Sequence, residues 1–345
     1  MSSASTAILV KSRAKFGRRL TTKDYDELLS CRNILDITNF LKTNTHYGSV
    51  LENIRESAVH RGNLESLLKQ KMYNDFARLC SFERSIGEHY FEYLLLRSEI
   101  DQLLLFLRYF TAGTPEKFIF NLPDFFKNST KFDIEGLTQA KTYDDILQAI
   151  KFTKYYKLLI PFKPAEGKNP DFTIIESVLD RYMYEFTDHM VNRYFKGEER
   201  KELRRIFGIQ GELDNIRKAY RAKRYYNTAD DVVKSLFNSE EIYLNRRTTE
   251  QIVTAEKSDD ILEILNKTRY RHYLSKFEYS YIDDLAKRIL YNYCRRKMHT
   301  SKHAAVVMAS AIMLSEIEIE NITNIIEGKR YEVDADTIRQ LLILD

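Results

Sequence analysis

The chain has 345 residues, of which 43% are hydrophobic and 30% charged, and a formal net charge of +4 from 54 Lys+Arg against 50 Asp+Glu. Its 11 Gly and 5 Pro are under 5% of the residues, against roughly 12% in average proteins, which excludes turn-rich sandwiches, barrels and propellers and any enzyme built on a glycine-rich loop. Twenty-three Tyr and 20 Phe exclude a disordered chain, and so small a net charge is not that of a dedicated nucleic-acid binder.

From the N-terminus, Met1 to Thr6 are small and polar, and Lys11, Arg13, Lys15, Arg18 and Arg19 follow. Only Ala7 to Val10 are apolar there, too few for a signal-peptide core. Cys31, Cys80 and Cys294 are an odd, widely spaced set without CxxC. They read as reduced thiols of a cytoplasmic protein. The longest apolar run, Ala304 to Leu314, is far shorter than the roughly 18 residues of a membrane span.

Three sequence blocks recur in the same order. The first begins at Asp36-Ile37, Asp145-Ile146 and Asp260-Ile261, with Leu41, Ile150 or Leu265 five residues after the Asp. The later two copies share Thr-x-Tyr (Thr153 to Tyr155, Thr268 to Tyr270), and the counterpart in the first copy is read at Asn44 and His46. The second block pairs an acid with a tyrosine eight residues on: Glu65 with Tyr73, Glu176 with Tyr184, Asp283 with Tyr291. The third has the form Glu-apolar-acid-amide-apolar: Glu99 to Leu103, Glu212 to Ile216, Glu318 to Ile322. Beyond it, Arg221-Ala-Lys-Arg-Tyr225 aligns without gaps to Glu327-Gly-Lys-Arg-Tyr331, with Arg108 in the corresponding place of the first copy.

This order predicts three homologous helical domains, 1–113, 114–227 and 228–345. In the third block, Ile100, Leu103 and Leu107 recur as Leu213, Ile216 and Tyr220 and as Ile319, Ile322 and Ile326, spacings that place each trio on one helical stripe. Thr114-Pro115 marks a helix start. Thr142-x-x-Asp145, Thr228-x-x-Asp231 and Thr248-x-x-Gln251 resemble capping boxes. Lys163 to Asp171 is expected to be the longest exposed connection. The fold class is all-α, from an internal threefold repeat.

No residue set in the chain has the pattern of a catalytic or metal site. His299 and His303 are placed at i and i+4 on one helix face, but Thr300 stands where a zinc protease needs Glu, and no third ligand follows. Glu99, Glu212 and Glu318 could be imagined as acid–base carboxylates. Three copies at one place, each beside an amide (Gln102, Asn215, Asn321), read instead as a repeated structural contact. Gly208-Ile-Gln-Gly211 is not a P-loop, and GxGxxG and GxSxG are absent. No catalytic residue, cofactor or metal is expected.

Basic runs occur at Arg200, Lys201, Arg204 and Arg205, at Arg217, Lys218, Arg221, Lys223 and Arg224, and at Arg295, Arg296 and Lys297. Acids such as Glu198, Glu202 and Asp214 are mixed among them, the usual sign of a solvated, salt-bridged face. A docking surface for an acidic protein partner is a second reading, and nucleic acid a weaker third.

The ordered blocks resemble the C subunit of the V/A-type rotary ATPases, whose eukaryotic counterpart is the d subunit. The resemblance rests on Glu318-Ile-Glu-Asn-Ile-Thr-Asn-Ile-Ile-Glu-Gly-Lys-Arg-Tyr331, on Glu212-Leu-Asp-Asn-Ile216 with Arg221-Ala-Lys223, and on Arg13, Arg18, Leu20 and Asp24-Tyr-Asp-Glu-Leu-Leu29. The first copy departs from the pattern, with Gln102 for Asn and Arg108-Tyr-Phe lacking the small residue and Lys. The resemblance implies a non-catalytic rotor subunit of three pseudo-symmetric domains forming a funnel. Such a protein receives the central shaft, made of the D and F subunits, and rests on the proteolipid ring, peripheral at the cytoplasmic face of the membrane. ATP hydrolysis or synthesis is thereby linked to proton or sodium transport. Arg217, Lys218, Arg221, Lys223 and Arg224 are the expected docking residues. The alternative is an unrelated helical scaffold.

Overall fold

The computed structural model describes residues 3–54, 61–81, 84–122, 124–165, 168–226, 228–237, 242–274 and 282–344. Every regular element among them is helical. In chain order the α-helices are α1 Ser3–Phe16, α2 Thr22–Ser30, α3 Ile34–Asn44, α4 Gly48–Leu51, α5 Arg61–Cys80, α6 Arg84–Thr111, α7 Asp124–Ser129, α8 Ile134–Gln139, α9 Tyr143–Ala149 and α10 Lys154–Leu159. They continue as α11 Phe172–Tyr194, α12 Gly197–Arg221, α13 Asp230–Ser235, α14 Arg246–Val253, α15 Ser258–Asn266, α16 Arg271–Leu274, α17 Ile282–Thr300, α18 Ala304–Arg330 and α19 Ala335–Gln340.

Local chemistry explains where the short helices start. Thr21 and Thr142 each accept from the backbone three residues on, at Asp24 and Asp145, whose carboxylates reach back to the cap. The box expected at Thr142 is thus present. The other two expected boxes are displaced. Helix α13 is capped at Ala229 without a side-chain bond, and Asn245, not Thr248, caps α14 through the Thr248 N–H. In both cases Thr is displaced from the true cap position and cannot act there. Thr114-Pro115 does open a helix, but a 3₁₀ one, Pro115–Asn121. The connection from Lys163 to Asp171 carries no helix among its described residues.

Packing divides the chain into two units, 62–183 and a second made of 1–61 with 184–345. The boundary expected at Asn227 lies outside the described residues. In the larger unit, α1, α12 and α17 pack on α18. Ala304 to Leu314 are all buried, so the longest apolar run is a helix surrounded by protein, which is why it is apolar all round. No helix among the described residues is long and apolar enough to cross a membrane.

Long side chains close the ends of these helices. Arg13 on α1 donates to the carbonyls of Met298 and Ser301 (both 2.9 Å), satisfying orphan acceptors where α17 ends. Lys329 donates to the Leu29 carbonyl near the end of α2 (2.6 Å). Its neighbour Gly328 lets α19 approach α18, for a Cβ there would lie 2.4 Å from Ile338 Cδ1. The glycine before Lys329 is therefore a packing requirement of the α18–α19 contact. Ala222, aligned with Gly328 in sequence, is likewise buried.

The unit 62–183 is held by aromatic contacts. Phe106 meets Phe118 edge-on at 5.3 Å, and Phe126, Phe132, Tyr155 and Tyr182 form a continuous run of edge-to-face pairs, each worth about 1 kcal/mol beyond the area it buries.

Candidate functional site

The three repeated glutamates are buried, and each accepts a hydrogen bond from a buried tyrosine. Tyr155 donates to Glu99 at 2.9 Å, Tyr270 to Glu212 at 3.2 Å and Tyr47 to Glu318 at 2.8 Å. Each carboxylate also accepts from a second segment. Glu99 takes the Thr130 hydroxyl (3.1 Å), and Glu318 the Leu20 N–H (2.7 Å). Glu212 takes the N–H groups of Ile242, Tyr243 and Leu244. A side chain on a long helix thus ties down two other segments at once.

Tyr155 and Tyr270 sit in matching surroundings. Tyr155 packs edge-on against Phe132, and Tyr270 against Tyr243, at 5.6 Å and 82° in both pairs. The turn before each tyrosine is built alike. Thr45, Thr153 and Thr268 each donate to a carbonyl three or four residues back. The Tyr47 and Tyr270 N–H groups return a bond to the threonine two residues before them. The first copy of Thr-x-Tyr is therefore Thr45-x-Tyr47, not Asn44 and His46. One additional residue after Leu41 shifted the register, and the recurrence of Thr two residues before Tyr was the available signal.

Burial governs the electrostatics of these clasps. It raises the Glu99 and Glu212 carboxyls, opposed by their hydrogen-bond donors. It pushes Glu318 up to about 7, against the Leu20 N–H, Tyr47 and the charge of Arg19, with Asp24 adding to the rise. His46 Nε2 lies 3.7 Å from the same carboxylate.

The neighbouring motif positions are also buried or hydrogen-bonded within the chain. Asn321 is buried, donating to the Ile343 carbonyl (2.8 Å) and accepting from the Ile343 N–H (2.9 Å). Asn215 is buried at the corresponding place. The tyrosines of the second block reach the second acid of the third, Tyr73 to Asp101 (3.0 Å) and Tyr184 to Asp214.

The expected docking residues lie along and beyond the last turns of α12, which runs into a π-helical turn, Ala222–Tyr226. Arg217 is half-buried, with Asp283 at 3.0 Å and Asp214 at 3.4 Å. Lys218 is also half-buried. Lys223 is folded inward, its side chain 6% exposed and paired with Asp230. Arg221 and Arg224 are exposed, next to exposed Tyr225 and Tyr226. At the end of α18, Arg330 lies over the exposed ring of Tyr331. Upstream, Lys201 pairs with Glu198 and Arg204 with Asp188, the mixed-charge face its composition predicts.

His299 lies near the end of α17 and His303 precedes α18. A helix break separates them, so they do not share a helix face as expected. Among the described residues no group of three or more His, Cys, Asp or Glu is placed to hold a metal.

Residues 8–341 match the protein family described as ATP synthase (C/AC39) subunit. The chain belongs to this family. The C subunit of the A-type ATP synthase of Methanosphaera stadtmanae is 22% identical over 343 aligned residues, covering 96% of this chain and 86% of that protein. Across the ATP synthase (C/AC39) match, the clasp residues from Leu20 to Glu318 all lie inside the matched span. So do the exposed ends of α12 and α18.

Proposed function

We propose that this chain is the non-catalytic rotor subunit of a V/A-type ATPase or ATP synthase. It joins the central shaft, made of the D and F subunits, to the proteolipid ring, so that ATP hydrolysis or synthesis is linked to proton or sodium transport. The observation that carries this reading is the family match, which spans nearly the whole chain. The helix-dominated build and the use of conspicuous carboxylates as structural acceptors agree with a part that transmits torque. In this reading the three segments 1–113, 114–227 and 228–345 form a pseudo-symmetric socket at the cytoplasmic face of the membrane. The carboxylate–tyrosine contacts support the repeat, since each copy of the motif pairs with a tyrosine from the following copy and the last returns to the first.

Arg221 and Arg224, flanked by Tyr225 and Tyr226, are the proposed contact with a protein partner. Arg and Tyr are the residues that protein interfaces favour, and π-turns often mark functional sites. The expected set of five narrows to these two because Lys223 is turned inward and Arg217 is held by its own chain's acids, while Lys218 is half-buried. Reversing both charges (Arg221→Glu, Arg224→Glu) in the complete complex is expected to weaken co-purification with the shaft or ring. Undiminished assembly would remove this surface from the proposal.

A further inference from the structure

Residues 146–165, in the unit 62–183, contain no Asp or Glu and four lysines, Lys151, Lys154, Lys157 and Lys163. In a chain with 54 basic and 50 acidic residues this is a local departure from mixed charge. Helix α10 turns Tyr155 and Leu159 into the core and leaves Lys157 and, just beyond its end, Ile160 exposed. In the turn ahead of it, Phe152 is 83% exposed, more than any other large apolar side chain among the described residues.

A lone exposed apolar residue needs no explanation. Phe152 differs in two respects. The residues preceding the other two Thr-x-Tyr turns are Asn44 and Lys267, so this kind of turn does not require an apolar side chain there. Its neighbours also include uncommitted cations: Lys151 and Lys157 form no ion pair with any described residue. Lys163 is paired with Asp144 at 2.6 Å, and the Lys154 ammonium lies over the rings of Tyr155 and Tyr182.

We propose that Lys151, Phe152, Lys157 and Ile160 form a contact site for an anionic lipid surface. Phe152 enters the boundary between headgroups and acyl chains, and the two ammonium groups neutralise headgroup charge. The choice of lipid over protein rests on the type of cation. Between Tyr109 and Asp180 the chain has nine lysines and no arginine. An ammonium on a flexible stem pairs with diffuse charge without fixed geometry and is attracted to anionic leaflets. Protein interfaces are depleted in Lys, and the Arg–Tyr turn of residues 221–226 has the opposite character. With no described helix able to span a bilayer, the contact is peripheral, as an interfacial aromatic beside lysines would make it. It does not depend on shaft or ring docking.

The chain contains no tryptophan, so Phe152→Trp places a single indole at the proposed site. The full-length variant is mixed with phosphatidylcholine vesicles with and without phosphatidylglycerol. Only the anionic vesicles should shift its emission to the blue, and brominated lipid should quench it. In parallel, Lys151→Glu with Lys157→Glu should lower co-sedimentation of the full chain with anionic vesicles by about tenfold or more, with an unchanged far-ultraviolet circular dichroism spectrum. High salt should weaken the wild-type binding. An unmoved indole emission, or equal vesicle binding by the charge-reversed variant, would overturn the proposal. Loss of co-purifying subunits by the charge-reversed variant, without any vesicle binding by the wild type, would assign the site to a protein and also overturn it.

Discussion

Glu318 and Tyr47 lie 271 positions apart in the chain, and their side chains meet at 2.8 Å inside the protein. The same carboxylate holds the Leu20 N–H, 298 positions away. Two points in the first 47 residues are therefore fixed to the long helix α18 by one acidic side chain, while Glu99 and Glu212 find their tyrosines only 56 and 58 residues ahead.

This fixation carries a pH signature. The Glu318 carboxyl is pushed up to about 7 by burial, whereas in the unfolded chain it titrates near 4.3. Between those values the native state holds a proton that the unfolded state releases, so stability falls as pH rises. The protonated form's advantage is complete below about pH 4 and lost by about pH 7, an effect on the order of 4 kcal/mol. Replacing Glu318 by Gln removes this titration. Chemical denaturation across that pH window should show the wild type losing stability relative to the variant as pH rises; parallel curves would refute the assignment.

The three tyrosines should differ in importance. Tyr270→Phe leaves Glu212 with three backbone donors, so a loss of about 1 kcal/mol is expected. Tyr155→Phe leaves Glu99 with the Thr130 hydroxyl, and Tyr47→Phe leaves Glu318 with the Leu20 N–H and, at 3.7 Å, His46 Nε2. Each of these should cost about 2–3 kcal/mol, because a buried carboxylate becomes under-solvated. Denaturation midpoints of the three variants, read at one pH above about 7, where Glu318 is ionised, test the ranking.

Gly328 gives a steric prediction. Gly328→Ala brings a Cβ to 2.4 Å from Ile338 Cδ1 and Cγ1 and should destabilise by about 1–3 kcal/mol. Adding Ile338→Ala should then cost less in the Gly328→Ala background than in the wild type. Additive losses in a double-mutant cycle would show that the two positions do not compete for space.

Arg13 offers a test of helix-end capping. Arg13→Ala frees the Met298 and Ser301 carbonyls, and a loss of about 1.5–3 kcal/mol is expected. Arg13→Lys should recover only part of it, since one ammonium cannot reproduce the forked geometry. Hydrogen exchange should report the loss as faster opening at the α17–α18 junction.

Much of this organisation was legible in the sequence because it rests on side-chain types that burial makes costly. A glutamate beside an amide on an apolar helical stripe, repeated at 99, 212 and 318, reads as structural from pattern alone; all three are buried. Their partners were not legible. Nothing in local spacing links Glu318 to Tyr47, and a one-residue shift concealed Thr45-x-Tyr47. Helix starts at Thr228 and Thr248 were misplaced because a capping box is a local pattern that several nearby residues can imitate. His299 and His303 kept helical spacing across a break that Ser301 and Lys302 do not announce. Among the five basic residues from Arg217 to Arg224, sequence could not separate inward Lys223 from outward Arg224, since a long side chain on a helix end can fold either way.

The proposed coupling role is tested most directly by removing this chain from the otherwise complete ATPase and measuring ATP hydrolysis and ATP-driven ion transport on the same preparation. Hydrolysis by the catalytic head is expected to persist while transport is lost, and adding the purified chain to restore transport. Transport that continues at its normal rate without this chain would contradict that role.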